Sequence, residues 1–543
     1  MERATTRVFR NDWSVLTPPE LGAWTPRLTV SVVIAACGDQ RRLDLVLAAL
    51  AAQTYPDRLF EVVVVDDHSV PPLRLPLIRP RSCRIEPAPA AGWGGGHARA
   101  YGAHITSGEI ICWLDPDMIV DPRHIEAHAR WHHLHPECVT LGGVRFAASH
   151  PTDPADIAVL ARTGRLAEVV PGEHGHEWVE RLLASSDDLR DPDHLGFLTH
   201  IGSNVALRRS LYEAAGGLDP ALTLGQDTEF GYRLWQAGAV FVPERQATGR
   251  HLGPATVTRA RVPSLRFRAD VLAAYMPHPR SHRDRSPNTA GAARVPLVRA
   301  VVDVAGARYE VVRACVDRLL NCAESDLTVT LVADWDGCAG QRAGTAGPRL
   351  ELRLIQANYL GDPRVSFSTS RPRTGFPSPY LLDVPVTRGV GRDTVSRLIE
   401  RADRARAGLT ELACADRPDG PVLRLWRTRA LVRALRVRAP GEDLARVISQ
   451  VHGRCRVQGE VEDMVELPGL PVEQLQSPVW PRREPGSVAG RIPGPPRAGK
   501  RQARVGRGRA SLTYWRLHRA VPFLRPPLRA VRACVRLLRP TAV

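Results

Sequence analysis

Short apolar runs and amphipathic stretches alternate along the first half of the chain. Leu28 to Ala36 (LTVSVVIAA) is continuous, rich in β-branched residues and too short for a helix, so it predicts a buried strand. Leu43 to Gln53 sets Leu43, Val46, Leu47 and Leu50 on one helical face before Tyr55-Pro56-Asp57 breaks the pattern, and Phe60 to Val65 predicts a second buried strand. Strand, helix, strand is the order of a parallel βαβ unit. Ligands of such sheets lie beyond the carboxyl ends of the strands, where Cys37-Gly38-Asp39 and Asp66-Asp67 fall. A helix follows Gly94-Gly95-Gly96 to about Ser107, Ile110 to Leu114 predicts a third strand, and Asp115-Pro116-Asp117 stands at its end. Gly202 to Ala206 then precedes a helix from about Arg209, the turn Gly216-Gly217 follows, and Gln226-Asp227-Thr228-Glu229 opens a helix over Phe230 to Ala237.

A Pro, Arg and Ser-rich linker over 276–294 separates a first domain, 27–275, from a second, 295–475. There Val298 to Val304 predicts a strand, Tyr309 to Asn321 a helix, and Leu327 to Val332 a strand ending in Ala333-Asp334-Trp335-Asp336. The order and spacing nearly repeat Ser31 to Asp67, which reads either as a diverged internal repeat or as a chance βαβ resemblance. From 476 to 543 Pro, Gly and Arg dominate a basic tail, with apolar residues at helical spacing only over Ser511 to Leu538.

Composition narrows the classes. With 543 residues, 43% hydrophobic and 24% charged, the chain is neither mainly disordered nor fibrous. The net charge is +17, but residues 481–543 alone hold 16 Arg or Lys against the one acid Glu484, so the folded part is nearly neutral. That distribution disfavours nucleic acid as a partner. The tail, with Trp515, Phe523 and Leu524 among Arg516, Arg519 and Arg525, reads either as a solvated segment or as one that lies on an anionic membrane surface. Ten cysteines without a C-x-x-C pair exclude a disulfide scaffold and point to a reducing compartment. No apolar run reaches the roughly 18 to 20 residues of a membrane span. The expectation is a cytoplasmic protein, either free or peripheral at the inner face of the membrane.

Asp115 and Asp117, two residues apart at the end of a buried strand, are hard oxygen ligands suited to Mg²⁺ or Mn²⁺ bridged to a diphosphate. Taken alone, D-x-D is equally a turn whose Asp caps the next helix. Gly94 to Gly96 allows backbone to approach a ligand closely, and Arg99 offers a forked donor. His124, His128 and His132 recur at helical spacing. They read as solvent-facing or packed under Trp131 rather than as a metal stripe. Trp113, Trp235 and Tyr232 read as core, and Trp93, among glycines, as the aromatic placed to touch a sugar or base.

In order, SVVIAACGD, AAQTYPDRLFEVVVVDDHS, GGGHARAYGA, GEIICWLDPDM, GSNVALRRSLYEAAGGLDPAL and QDTEFGYRLWQAGA resemble the family-2 inverting glycosyltransferases of the GT-A fold, over Val30 to about Leu252. The resemblance implies a nucleotide-sugar donor. Asp67, with Asp66 and the loop near Ala36 and Asp39, would hold the base. Arg99 would support the base or phosphate beside Gly95, and Asp115 with Asp117 would hold Mn²⁺ or Mg²⁺. Asp227 would be the general base. His251, in Arg250-His251-Leu252-Gly253, falls where similar enzymes carry a histidine facing the diphosphate. The chain departs from the family at Gln226, where an acid usually precedes the base, and at Gly92, where an Asn is usual.

The fold class expected is therefore α/β: a GT-A nucleotide-sugar-binding mixed sheet flanked by helices, then a second α/β unit that is a degenerate copy or an unrelated βαβ unit, then the tail. The function expected is metal-dependent, inverting transfer of a sugar to a hydroxyl acceptor. Two alternatives remain: a catalytically silent glycan-binding or scaffold protein on the same fold, and a nucleotidyltransferase. The second usually carries a basic Gly-rich loop after the first strand, and Cys37-Gly38-Asp39-Gln40 lacks it.

Overall fold

The computed structural model describes residues 6–147, 153–254, 262, 266, 271–278, 294–336, 338, 349–414, 420–459 and 463–467. The tail and most of the linker lie outside the described residues.

The first half is an eight-stranded mixed sheet. Its strands are β1 (Val30–Ala36), β2 (Phe60–Asp66), β3 (Cys83–Pro87), β4 (Ile110–Leu114), β5 (Met118–Val120), β6 (Cys138–Ala147), β7 (Asn204–Arg208) and β8 (Val240–Leu252), in the order β3-β2-β1-β4-β7-β6-β8-β5. Its helices are α1 (Gln40–Leu50), α2 (Gly95–His104), α3 (His124–Leu134), α4 (Pro154–Arg162), α5 (Leu166–Val169), α6 (Glu177–Ser185), α7 (Arg209–Ala214) and α8 (Gln226–Gln236). β1 runs parallel to both β2 and β4, so the carboxyl ends of all three open on one edge. β5 runs antiparallel to β8 with Met118 opposite His251, which sets that histidine beside Asp117. The continuous runs of β1, β2 and β4 are buried because helices cover both faces, as the unbroken apolar pattern requires. Trp113, Phe230, Tyr232 and Trp235 pack into the core under α8, as expected for the three that the sequence assigns to the interior.

The second half holds β9 (Val298–Asp303), β10 (Leu327–Val332), β11 (Val365–Ser368), β12 (Tyr380–Asp383), β13 (Arg388–Val390), β14 (Leu409–Cys414), β15 (Leu423–Arg427), β16 (Arg454–Gly459) and β17 (Met464–Glu466). Its helices are α9 (Tyr309–Leu320), α10 (Leu350–Tyr359), α11 (Thr394–Ala405), α12 (Thr428–Val437) and α13 (Leu444–Val451). The seven-stranded order β11-β10-β9-β12-β15-β14-β16 matches the first sheet strand for strand over its first seven members. β13 pairs instead with β17, in a separate ribbon.

Both sheets belong to one compact unit spanning residues 1–470. Arg429, on α12, reaches into the first half and donates to the carbonyls of Trp235 (3.3 Å) and Ala239 (2.6 Å). A guanidinium there satisfies carbonyls at the C-terminal end of α8, where the helix dipole favours a cation. The second sheet thus steadies the helix whose first turn carries Asp227.

Candidate functional site

The site forms on the edge where β1, β2 and β4 end. The Asp39 side chain caps α1 by accepting from Arg42 N–H (3.1 Å). The Arg42 guanidinium then bridges Asp39 (3.1 Å) and Asp117 (3.1 Å). Ala36, the last residue of β1, is buried, and its carbonyl accepts from Asp67 N–H (2.8 Å). The two aspartates after β2 have different surroundings. Both oxygens of Asp66 are taken by backbone, Ser69 N–H and Leu73 N–H at 3.0 Å each, so this residue builds the following loop instead of facing a nucleotide. Asp67 accepts from Gly94 N–H through Oδ2 (2.7 Å), while its Oδ1 is buried with no partner among the described residues.

Gly94 takes φ +97°, a conformation open to glycine, and starts α2. Gly95 follows in the first turn. A Cβ on Gly95 and one on Gly202 would each stand 3.3 Å from Arg99 NH1, so Arg99 threads between them to pair with Asp115. The sequence resemblance gave Arg99 to the base or phosphate; here its partner is a D-x-D carboxylate. The same Cβ on Gly202 would lie 3.4 Å from Asp227 Cβ, which brings Asp227 next to Arg99.

Asp115, Asp117 and His251 offer ligand atoms that all lie within 4.8 Å of one another. His251 Nδ1 lies 3.1 Å from the Gly253 carbonyl, which can only accept, so Nδ1 carries a proton and Nε2 is left either to take a second proton or to offer its lone pair to a cation. Nε2 faces Asp117 Oδ1 at 3.3 Å. Two acceptors so close require a proton or a cation between them, and two carboxylates with one imidazole suit a divalent ion. Burial holds the Asp117 pKa above the ordinary carboxylate value; His251 opposes this, Asp115 reinforces it and Arg42 opposes it.

Asp227 sits in the first turn of α8, and its Oδ1 accepts from Thr228 N–H (2.7 Å). His200 Nδ1 donates to the Asp227 carbonyl (2.8 Å), and burial pushes the His200 pKa down to about 4, keeping the ring neutral. Gln226 packs its stem where a Gly96 Cβ would fall, 3.0 Å from Cγ, and its Oε1 is buried with no partner among the described residues.

A cavity of ≈ 230 Å³ lies between β6, β8 and α6, lined by Arg145, His176, Glu180, Ile201, Asn204 and Thr248 among others. It adjoins the acidic cluster: His176 meets Phe146 edge to face (4.9 Å), and Phe146 contacts His251 (5.3 Å). Burial lowers the His176 pKa, His251 lowers it further and Asp227 opposes both, so both site residues act on this ring.

Arg42 and His176 carried no signal in the sequence. One looks like a surface arginine of Arg41-Arg42, and the other lies in a stretch without strong pattern. Trp93 is 69% exposed, on the loop that leads into Gly94. Of the two readings of the histidine stripe, the solvent-facing one is corrected: His124, His128 and His132 are all buried. They lie on the inner side of α3, and His128 spans Thr140 Oγ1 (2.7 Å) and Asn204 Oδ1 (3.0 Å), so both of its nitrogens serve the core.

The second sheet keeps the scaffold and lacks this chemistry. Counting from the paired strand starts Ile110 and Tyr380, Pro385 and Thr387 stand where Asp115 and Asp117 do. Ala445, second in α13, stands where Asp227 is second in α8, and only Asp334 matches Asp67.

Residues 31–216 match the family model Glycosyl transferase family 2. The chain is 25% identical over 262 residues to a validoxylamine A glucosyltransferase of Streptomyces hygroscopicus subsp. limoneus, covering 46% of this chain and 58% of that protein. It is 24% identical over 383 residues to a hyaluronan synthase of Pasteurella multocida, covering 66% of this chain and 37% of that one. The chain thus spans well under two thirds of these relatives. Among solved structures, S. aureus TarS 1-349 overlaps 45% of this chain and 65% of its own at 16% identity, with a TM-score of 0.31. A Pyrobaculum calidifontis mannosyltransferase overlaps 48% and 66% at 17% identity, with a TM-score of 0.29. The fold assignment rests on the strand order itself.

Proposed function

We propose that this chain, whose residues 31–216 form a Glycosyl transferase family 2 domain, moves a sugar from a nucleoside-diphosphate sugar to a hydroxyl acceptor with inversion, at the edge built by Asp115, Asp117, His251 and Asp227. The observation that carries the reading is the convergence of three metal-ligating side chains on the edge that also holds Asp67, Arg99 and Asp227. Asp67, with one buried oxygen unpartnered among the described residues, is suited to accept from the base or ribose, beside the loop from Ala36 to Asp39. A divalent cation, Mn²⁺ or Mg²⁺, held by Asp115, Asp117 and His251 would neutralise charge on the leaving diphosphate. Without it Asp39, Asp115 and Asp117 outnumber Arg42 and Arg99 by one charge, so a donor dianion is repelled. Arg42 and Arg99 offer forked donors to diphosphate oxygens. Asp227 takes the proton of the incoming hydroxyl as it attacks the anomeric carbon from the face opposite the diphosphate. His200, neutral and bonded to the Asp227 backbone, holds that carboxylate in position.

The acceptor enters through the cavity beside His176, whose size suits one ring-sized hydroxylated group. Acceptors of that kind occur in cell-surface polysaccharide, glycolipid and natural-product synthesis. The silent-scaffold alternative suits the second sheet, where Pro385, Thr387 and Ala445 replace the working residues. The basic tail supports a cytoplasmic location at an anionic membrane surface. Among the described residues no helix is long and apolar enough to cross a membrane.

The test is a thermal-shift and product-release panel of nucleotide sugars on the full chain, with and without Mn²⁺. A nucleoside diphosphate should stabilise the protein only with the cation, and Asp117→Asn should abolish that shift. A shift of equal size in Asp117→Asn, or one indifferent to the cation, would overturn the metal assignment. Absence of transfer with every donor would favour the scaffold.

A further inference from the structure

In the first sheet α2, between β3 and β4, covers the face of β1 and β2. Beneath it the second residues of β1, β2 and β3 close a polar network. Ser31 donates to Glu61 (2.8 Å), and Arg84 donates to Glu61 (2.5 Å) and to the Ile105 carbonyl (3.1 Å). In the second sheet the connection from β11 to β12, residues 369–379, contains no helix. The corresponding second residues of β9, β10 and β11 are Arg299, Thr328 and Ser366. The carboxylate has become a hydroxyl, and the serine has become a cation.

A cleft of ≈ 480 Å³ opens at this place, lined by Arg294, Arg299, Arg364, Thr328, Thr330 and Ser366, with Asp326 the acid among its lining. Arg364 is already neutralised, forking onto Asp362 at 3.2 and 3.0 Å. Arg294 lies over the Tyr275 ring at 4.9 Å. Arg299 is half-buried, and among the described residues no hydrogen bond or ion pair reaches its guanidinium. Burial lowers its pKa. A guanidinium that lines a cleft and has no acceptor among the described residues can fork onto an oxyanion. Hydroxyls from Thr328, Thr330 and Ser366 line the rest, and the volume falls in the range of about 300 to 1,000 Å³ usual for small-ligand sites.

We propose that this cleft binds an acidic saccharide, its carboxylate seated on Arg299 and its hydroxyls on Thr328, Thr330 and Ser366, as an anchoring site apart from the transfer edge. The saccharide class rests on the glycosyl-transfer reading; the anion rests on the cleft alone. Among the described residues no helix lies between β11 and β12 to cover this corner of the sheet as α2 covers the first. The degenerate sheet thereby holds a charged glycan chain while the first sheet does the chemistry.

Cellobiouronic acid and cellobiose, which differ in a carboxylate against a hydroxymethyl, are the matched probes, titrated calorimetrically into the full chain and into Arg299→Gln and Arg299→Lys. The acid should bind at least tenfold more tightly than cellobiose, Arg299→Gln should lose that tenfold, and Arg299→Lys should recover part of it. All three proteins keep the basic tail, so their differences read the cleft. UDP with Mn²⁺, titrated into the same samples, reports the first sheet and should be unchanged by either variant. Equal binding of the acid by the parent and Arg299→Gln, or equal binding of the two sugars, overturns the site. Inorganic phosphate displacing the acid at comparable concentration overturns its saccharide character. Loss of UDP binding in all three proteins would count against the transferase reading and leave the anion site standing.

Discussion

Asp227→Asn separates a catalytic carboxylate from a structural one, because the geometry predicts different sizes for the two effects. The Asp227 Oδ1 that accepts Thr228 N–H at 2.7 Å is an amide oxygen in the variant and accepts the same bond. Asn and Asp serve about equally at the start of a helix, and losing one negative charge in the first turn of α8 removes about 0.3 to 1 kcal/mol of dipole interaction. The folded protein should therefore lose no more than about 1 kcal/mol. His200 still donates to the backbone carbonyl, so the side chain keeps its place. The amide cannot take the acceptor's proton, and transfer should fall about 10² to 10⁴-fold, some 3 to 5 kcal/mol in the barrier. The assay is single-turnover transfer at saturating donor and acceptor, with UDP–Mn²⁺ affinity and the urea midpoint measured on the same preparation. Donor affinity near that of the parent with transfer lost is the expected pattern. A folded variant that transfers within a few-fold of the parent would remove Asp227 from the mechanism and turn attention to His176, which lines the adjoining cavity.

Gly96→Ala should cost about 1 to 3 kcal/mol, since its Cβ would meet the Leu222 carbonyl oxygen at 2.7 Å and the Gln226 Cβ at 3.2 Å, neither of which can swing aside. An unchanged denaturation midpoint would show that α2 and the start of α8 do not meet this closely. Acid should destabilise the first sheet through His128 and His200, both of which burial pushes down to about 4 from 6.5. The unfolded chain takes these protons near 6.5 and the folded one does not until near 4. Stability is thus full above 6.5 and declines by about 3 kcal/mol per histidine as the pH approaches 4. A Tm that stays flat from pH 7.5 to 5 would contradict the buried, neutral state of both rings.

The parts of the site that lie next to a strand end were legible from the chain. Asp115, Asp117 and Asp67 each follow a short, continuous apolar run, and a buried parallel strand delivers the residue after it to the ligand edge. Asp66, one position earlier, was indistinguishable from Asp67 by that logic. Only the course of the next loop shows that its oxygens are spent on Ser69 and Leu73. The histidine stripe of α3 met a similar limit. Helical spacing says that His124, His128 and His132 share a face, and the sheet decides that this face is the inner one. The second half was legible as strand, helix, strand.

Local pattern is carried by neighbours in the chain, through strand burial, helical faces and glycines that open tight turns, and it sufficed for the α/β class, the first sheet's parallel centre and the acidic edge. Function-bearing contacts between distant segments depend on register. His251 comes to Asp117 because β8 pairs antiparallel with β5, and Arg42 reaches the same carboxylate because α1 begins at the end of β1. The loss of chemistry in the second sheet, and the cleft where α2 has no counterpart, appear only once β9, β10 and β12 are laid on β1, β2 and β4. A register is set by the summed burial of whole strands. No single residue or spacing records it, and so it was decided in three dimensions.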